Sequence, residues 1–344
     1  MTIAVEQQAS RTRTRWRTLA TALSLIGGAV LVPLLVAHRH DLATAVALLV
    51  TVCPAWLSVA ALAEAVSYLT RGRATRAVLR AAAPSVGTAA LAAITVVGDA
   101  VAYVLPIGFA AGGAAAVGQT HRRGAPRAAA WWAFAVITLI SMVVLGAMGV
   151  VAAGITLVTV GPTALPPGPG LIAIVAIVSA AAGVTAGVRR WGVPARVREH
   201  WVRIRQQPLA AGSLRTAAVG MLLSWLADMA VLALAFVALG ERPPWAGLVL
   251  AYCLGQAASA LPFTPGGLAV VEGGLTATLV AFGGCPAGTL TAVLLYRLIS
   301  HWAVVPAGGL AWLALRRRTG DEFRRTPWSA LTARKGDEQC RTRP

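Results

Sequence analysis

The amino-acid sequence predicts an all-α fold, a polytopic integral membrane bundle with about eight membrane segments. Three observations support this prediction: the composition, the lengths of the apolar runs and the placement of the basic residues. Of the 344 residues, 57% are hydrophobic and 12% are charged, and the mean hydropathy is +0.72. A soluble globular protein carries far more charge, so this composition excludes that class.

Six apolar runs approach or exceed the length of about 20 residues that a helix needs to cross a bilayer. The first follows an arginine-rich start, as a signal peptide would, but no small-residue cleavage site follows it, and we interpret it as a transmembrane helix. The six predicted spans are residues 19–37, 42–69, 128–158, 171–188, 216–239 and 289–315.

Two further apolar segments, residues 81–119 and 246–282, are nearly twice as long as one span. Pro and Gly interrupt each of them near its middle. Because a helix breaks at such residues, each segment is expected to fold back on itself, either as a re-entrant pair of half-helices or as two short spans.

The basic residues indicate the sidedness of the chain. There are 30 Lys and Arg against 12 Asp and Glu, a net charge of +18, and most of the basic residues lie in the tails and in alternate short loops. Such residues accumulate on the cytoplasmic side, so both termini are expected in the cytoplasm of a cell-membrane protein. The charge favours anionic lipid over nucleic acid as a partner. The predicted parts are a basic tail (1–18), a first membrane repeat (19–160), an outer link (161–170), a second repeat (171–315) and a basic tail (316–344).

With this sidedness, the second half of the chain has the topology of the first half turned upside down. The two broken segments carry similar motifs, each with Leu-Pro followed by paired glycines. Inverted halves with broken helices at matching positions are typical of transporters that work by alternating access. The matching positions are Leu105-Pro106 with Gly112-Gly113, and Leu261-Pro262 with Gly266-Gly267.

Few charges lie inside the apolar segments, and each one there is costly and therefore a candidate functional residue. Asp99 precedes the first break and Asp228 lies in mid-span, whereas Glu64 is interpreted as reaching the interface. Glu272 follows the second break and is expected to bond the backbone, to bind a cationic headgroup or to pair with Arg297. An arginine in a wet cavity also binds phosphate through two hydrogen bonds.

The segment from Leu261 to Gly274 contains the clearest candidate site. Pro262 and Pro265 interrupt helical hydrogen bonding, and Gly266-Gly267 lets the backbone turn into a new half-helix. The N–H groups at such a helix start suit a phosphate. The four cysteines are scattered without metal-ligand spacing, so no metal or cofactor is predicted.

The motif Leu-Pro-Phe-Thr-Pro-Gly-Gly-Leu-Ala-Val-Val-Glu, with Gly-Cys-Pro and Leu-Leu-Tyr-Arg-Leu after it, resembles the membrane region of lysylphosphatidylglycerol synthases and the related flippase-like family. The resemblance implies movement of a polar-headed lipid between leaflets, either an anionic phospholipid or an isoprenoid-linked lipid. It places Pro262, Thr264, Pro265, Gly266, Gly267, Glu272 and Arg297 at motif positions, and Asp228, Asp99 and Pro106 complete the predicted substrate-binding set.

Three functions therefore compete at this stage. The first is a flippase whose cavity lies between the two repeats. The second is a membrane enzyme that acts on a lipid phosphate, such as a glycosyltransferase, although the sequence has no DxD or DxxD motif. The third is a non-transporting subunit that binds an enzyme partner through its basic tail, with a second copy of the chain, forming a homo-oligomer, as the alternative partner. Because only a short basic tail follows the last span, we expect a transporter rather than a lipid-aminoacylating enzyme.

Overall fold

The computed structural model describes residues 52–105, 108–159, 161, 211–259 and 270–325, and within these ranges it is helical, with no strand. The side chains of residue 270 and of residues 318–325 are outside the description. The helices, in chain order, are α1 (Pro54–Leu79), α2 (Thr88–Val104), α3 (Gly108–Arg122), α4 (Arg127–Thr159), α5 (Ala211–Ala238), α6 (Trp245–Ser259), α7 (Val270–Ala281), α8 (Pro286–Arg297), a π-helical turn (Leu298–Trp302) and α9 (Val304–Arg325).

Three of the predicted spans coincide with helices that are long and apolar enough to cross a membrane. They are α4, α5 and the continuous helical stretch Pro286–Arg317, which joins α8, the π-helical turn and the start of α9. The chain is thus an integral membrane protein with helical spans. The predicted spans 19–37 and 171–188 lie outside the described residues.

Helix α1 differs from the prediction at its C-terminal end. The predicted span stops at residue 69, but the helix continues to Leu79. Arg71, Arg73 and Arg76 therefore lie on a helix rather than in a loop. The helix continues because the sequence in this stretch has no Pro and is rich in Ala and Arg, both good helix formers.

Both broken segments fold back as pairs of short helices, as predicted. Helix α2 packs against α3, and α6 packs against α7. In the first pair the backbones approach closely, since a Cβ on Gly112 would lie 2.4 Å from the carbonyl oxygen of Gly98. Only glycine permits this approach at position 112. The residues of the two breaks, 106–107 and 260–269, lie outside the described residues.

Helices α1 and α5 pack against each other along much of their length at the centre of the bundle. Small residues line this contact, and a Cβ on Gly220 would lie 3.0 Å from the side chain of Ala74. The hydroxyls of Ser67 and Ser224 form a 3.0 Å hydrogen bond across the interface. Small residues and interhelical hydrogen bonds are the usual means by which helices associate in a membrane, where lipid is as apolar as the side chains.

Candidate functional site

A partly buried ion pair joins α1 to α2. Nη1 of Arg71 donates to Oδ2 of Asp99 at 2.8 Å, and the hydroxyl of Tyr68 donates to the same oxygen at 3.1 Å. The Arg71 and Asp99 side chains are 19% and 26% exposed within the bundle. The approach of α2 to α1 depends on Gly72, where a Cβ would meet the backbone nitrogen of Ala92 at 2.7 Å.

Aromatic side chains surround the Arg71 guanidinium. Its central carbon lies 5.2 Å from the ring centroid of Tyr68 and 5.7 Å from that of Trp225. Such cation–π contacts stabilise an arginine in a poorly hydrated site. Nε of Arg71 also donates to the Ser224 hydroxyl at 3.2 Å, which ties the guanidinium to α5.

Trp225 itself packs against both Arg71 and Tyr252. The Arg71 guanidinium lies over its indole ring, and the Tyr252 ring is inclined by 71° to the indole with ring centroids 6.2 Å apart. Its N–H donates to the carbonyl of Ser141 on α4 at 3.3 Å, which fixes the ring in place.

An open cavity lies beside Arg71 and Asp99. Residues from α1 to α5 line it, and its volume is about 200 Å³. Most of the wall is apolar, with Phe109, Phe134 and Met142 among the large side chains, whereas Arg71 and Asp99 supply the charge. A cavity with apolar walls and a few convergent polar groups can hold an amphipathic ligand.

A second polar cluster surrounds Asp228, which is 5% exposed on α5. Its Oδ2 accepts hydrogen bonds from the hydroxyl of Tyr252, from the hydroxyl of Tyr296 at 3.0 Å and from Nε2 of Gln256 at 3.0 Å. Glu64 is also buried, 8% exposed. It lies one turn before Ser67 on α1, and Asp228 lies one turn after Ser224 on α5, so the antiparallel contact of the two helices places the two acids next to each other. The expectation that Glu64 reaches the interface is therefore wrong.

The third polar cluster is the predicted pair of Glu272 and Arg297. Nε of Arg297 donates to Oε1 of Glu272 at 2.7 Å, and the two residues are 9% and 6% exposed. Oε2 of Glu272 has no hydrogen-bond partner within the described residues. The pairing joins α7, directly after the second break, to α8.

Four of the predicted site residues therefore lie in three different clusters rather than in one: Asp99 beside the cavity, Asp228 among the tyrosines, and Glu272 with Arg297. His301, in the π-helical turn, stacks on Tyr103 with ring centroids 3.7 Å apart. The remaining predicted residues lie outside the described part of the chain: Pro106, Pro262, Thr264, Pro265, Gly266 and Gly267.

Sequence reasoning missed Arg71, because that residue was assigned to a cytoplasmic loop. It also missed Tyr252, Gln256 and Tyr296, whose side chains are neutral. A helical projection of α1 would have found Arg71, since it lies one turn after Ser67 and two turns after Glu64 on the face toward α5.

Together these features define a helical integral membrane protein with ionisable groups held in its interior next to an amphipathic cavity. A family model described as the lysylphosphatidylglycerol synthase TM region matches residues 18–308. The chain belongs to this family, which places it among membrane proteins of lipid-related processes. The resemblance expected from the sequence is thereby confirmed. No match was found among curated proteins.

Proposed function

We propose that the protein is a lipid translocase rather than an enzyme, and that it moves a phosphate-bearing lipid between the two leaflets of the cell membrane. The observation that carries this proposal is the cavity, which combines mostly apolar walls with the Arg71 guanidinium. The apolar wall suits a lipid chain, and a guanidinium suits a phosphate. Membership of a family from lipid-related processes supports the same class of ligand.

Arg71 keeps donors available for a phosphate. A guanidinium has five N–H donors, and the contacts with Asp99 and Ser224 use Nη1 and Nε. Neither of these contacts uses Nη2. A phosphate bound at Nη2 would share the positive charge of Arg71 with Asp99. After the headgroup leaves, Arg71 is still paired with Asp99, so no unpaired charge remains in the cavity.

The inverted repeat supports a transport cycle. The hydrogen-bonded Ser67 and Ser224 are separated by 157 residues. The same offset relates Arg71 to Asp228, and Asp99 to Gln256. Both resulting pairs are in contact, each with a separation of 28 residues. We propose that the serine contact lies on the axis that relates two inverted repeats, and that each repeat presents its polar pair to one side of the membrane in turn.

The helix pairing follows the same symmetry. The offset of 157 residues relates α1 to α5, α2 to α6, and α4 to the stretch that contains α9. Helix α2 packs on α9, and α6 correspondingly packs on α4, whereas α1 packs on α5. At one end of the bundle, Nη2 of Arg123 donates to the carbonyl of Leu315 at 3.1 Å, which brings the basic loop after α3 next to the basic end of α9. We propose that this end is cytoplasmic, as the charge distribution indicates.

Transfer between leaflets tests the proposal. Purified protein is reconstituted into phosphatidylcholine vesicles with a trace of NBD-phosphatidylglycerol, NBD-isoprenyl phosphate or NBD-glucosylceramide, and dithionite bleaches the label in the outer leaflet. We expect wild-type protein to let dithionite bleach more than the outer half of a phosphate-bearing label, and to act weakly on glucosylceramide, which has no phosphate. The first two labels distinguish a phospholipid from an isoprenoid ligand.

The matched variants are Arg71→Gln and Arg73→Gln. Both remove one positive charge from α1, but Arg73 is exposed and Arg71 lines the cavity. We expect bleaching to fall to the protein-free level for R71Q and to stay at the wild-type level for R73Q, with both proteins eluting as single species. Equal transfer by both variants would contradict the site. Conversion of a labelled lipid to a new product would instead favour the transferase function.

A further inference from the structure

Two acidic side chains, Glu64 and Asp228, lie next to each other across the contact between α1 and α5. Glu64 lies on α1 and Asp228 on α5, the two helices that pack most closely. Both residues are more than nine-tenths buried. Oε2 of Glu64 is buried and has no hydrogen-bond partner within the described residues. Two ionised carboxylates in such contact would repel each other strongly, because little water screens them.

The surroundings of Asp228 favour a negative charge on that residue. Three donors converge on its Oδ2: two tyrosine hydroxyls and the amide of Gln256. Hydrogen bonds donated to a carboxylate stabilise its charged form. These three hydrogen bonds leave Oδ1 free, and Glu64 carries no comparable set of donors within the described residues. The two acids are therefore unequal.

No positive charge compensates the pair directly. The nearest base is Arg71, two helical turns beyond Glu64, and its Nη1 is paired with Asp99. Arg297 is paired with Glu272. The titratable or charged groups around the pair are Tyr68 and Arg71 on α1, Asp99 and Tyr103 on α2, Tyr252 on α6 and Tyr296 on α8. With Arg71 and Asp99 cancelling each other, the two carboxylates together would be an uncompensated double negative charge in the bilayer interior.

We propose that Glu64 and Asp228 form a proton-binding site, in which Glu64 carries the proton and donates it in a hydrogen bond to Oδ1 of Asp228. This inference goes beyond the proposed function, because it requires no lipid. The proton removes one negative charge and supplies the donor that the contact otherwise lacks. A metal ion is disfavoured as the occupant because the groups around Oδ2 present hydrogen atoms rather than free oxygen lone pairs toward it.

The site also links proton binding to the helix interface. The protonated pair holds α1 against α5 through the Glu64 to Asp228 hydrogen bond, in addition to the bond between Ser67 and Ser224. Loss of the proton to water leaves two negative charges in contact, and their repulsion pushes the helices apart. A proton would thus favour one arrangement of the two repeats, which is the requirement for a coupling ion.

Infrared difference spectroscopy of the full-length protein in detergent tests the proposal without a transport substrate. Spectra recorded between acidic and alkaline buffer report the C=O stretch of protonated carboxylic acids. We expect a band from a buried acid in wild-type protein, the loss of that band in Glu64→Gln, and no change in Glu241→Gln, which removes an exposed carboxylate. In Asp228→Asn the band should persist at a shifted frequency, because the proton remains on Glu64 opposite an amide.

Three outcomes would overturn the proposal. The first is a wild-type spectrum with no protonated-acid band. The second is a band that survives in E64Q. The third is a carboxylate signal that responds to sodium at constant pH and not to protons, which would indicate a metal-ion site. Since none of these readouts depends on lipid movement, failure of the lipid transfer assay and failure of this assay are separate results.

Discussion

The close approach of α2 and α3 makes Gly112 the most sensitive position of the first hairpin. In a Gly112→Ala variant the new Cβ would lie 2.4 Å from the carbonyl oxygen of Gly98 and 2.9 Å from the Cβ of Ala102. The first contact is with backbone, which cannot rotate away, so the two helices must separate. Overpacking of this kind costs about 1–3 kcal/mol. Gly98, Gly112 and Asp99 all line the cavity, so the shift would also move the Asp99 carboxylate away from Arg71.

Gly118 provides the matched control for this prediction. It lies on the same helix, and a Cβ there would meet nothing within 4 Å. Because alanine reduces the conformational freedom of the unfolded chain, Gly118→Ala is expected to stabilise the protein by about 0.4–1 kcal/mol. Thermal unfolding in detergent, followed by tryptophan fluorescence, measures both variants. If G112A unfolds at or above the temperature of G118A, the described packing of α2 against α3 is wrong.

Two further predictions concern the other polar clusters. Replacing Arg297 with Met should destabilise the protein by about 3–5 kcal/mol, because the buried charge of Glu272 loses its ion-pair partner. The double variant E272Q/R297M should lose less than the sum of the single variants, and strict additivity in unfolding measurements would argue against the pair. Tyr252→Phe removes one of the three donors to the Asp228 carboxylate and should cost about 1.5–3 kcal/mol in the same assay. Tyr103 stacks on His301, and its hydroxyl donates no hydrogen bond within the described residues. Tyr103→Phe should therefore cost less than Y252F.

Much of the helical framework could be predicted from the sequence, because a long apolar run in lipid satisfies its backbone hydrogen bonds by forming a helix. The spans that became α4 and α5 are correct to within a few residues. Proline and glycine in the middle of the longer segments correctly predicted that each folds back. The pairing of Glu272 with Arg297 was one of several alternatives left open, and the structure selects it.

The remaining parts of the site depend on contacts between distant helices, which composition does not encode. Arg71 was placed in a loop because basic residues usually mark the membrane boundary. Here the helix continues and an acid from α2, Asp99, compensates the charge. The partners of Asp228 are tyrosines and a glutamine, which carry no charge and do not stand out in an apolar sequence. The inequality between Glu64 and Asp228 arises only when α1, α5, α6 and α8 are assembled.

Trp225 is a shared contact of three other helices. The Arg71 guanidinium of α1 lies over its indole ring, and Tyr252 of α6, a donor to Asp228, packs against the same ring. The indole N–H donates to the carbonyl of Ser141 on α4. A rotation of this one side chain would therefore break contacts to α1, α4 and α6 at the same time.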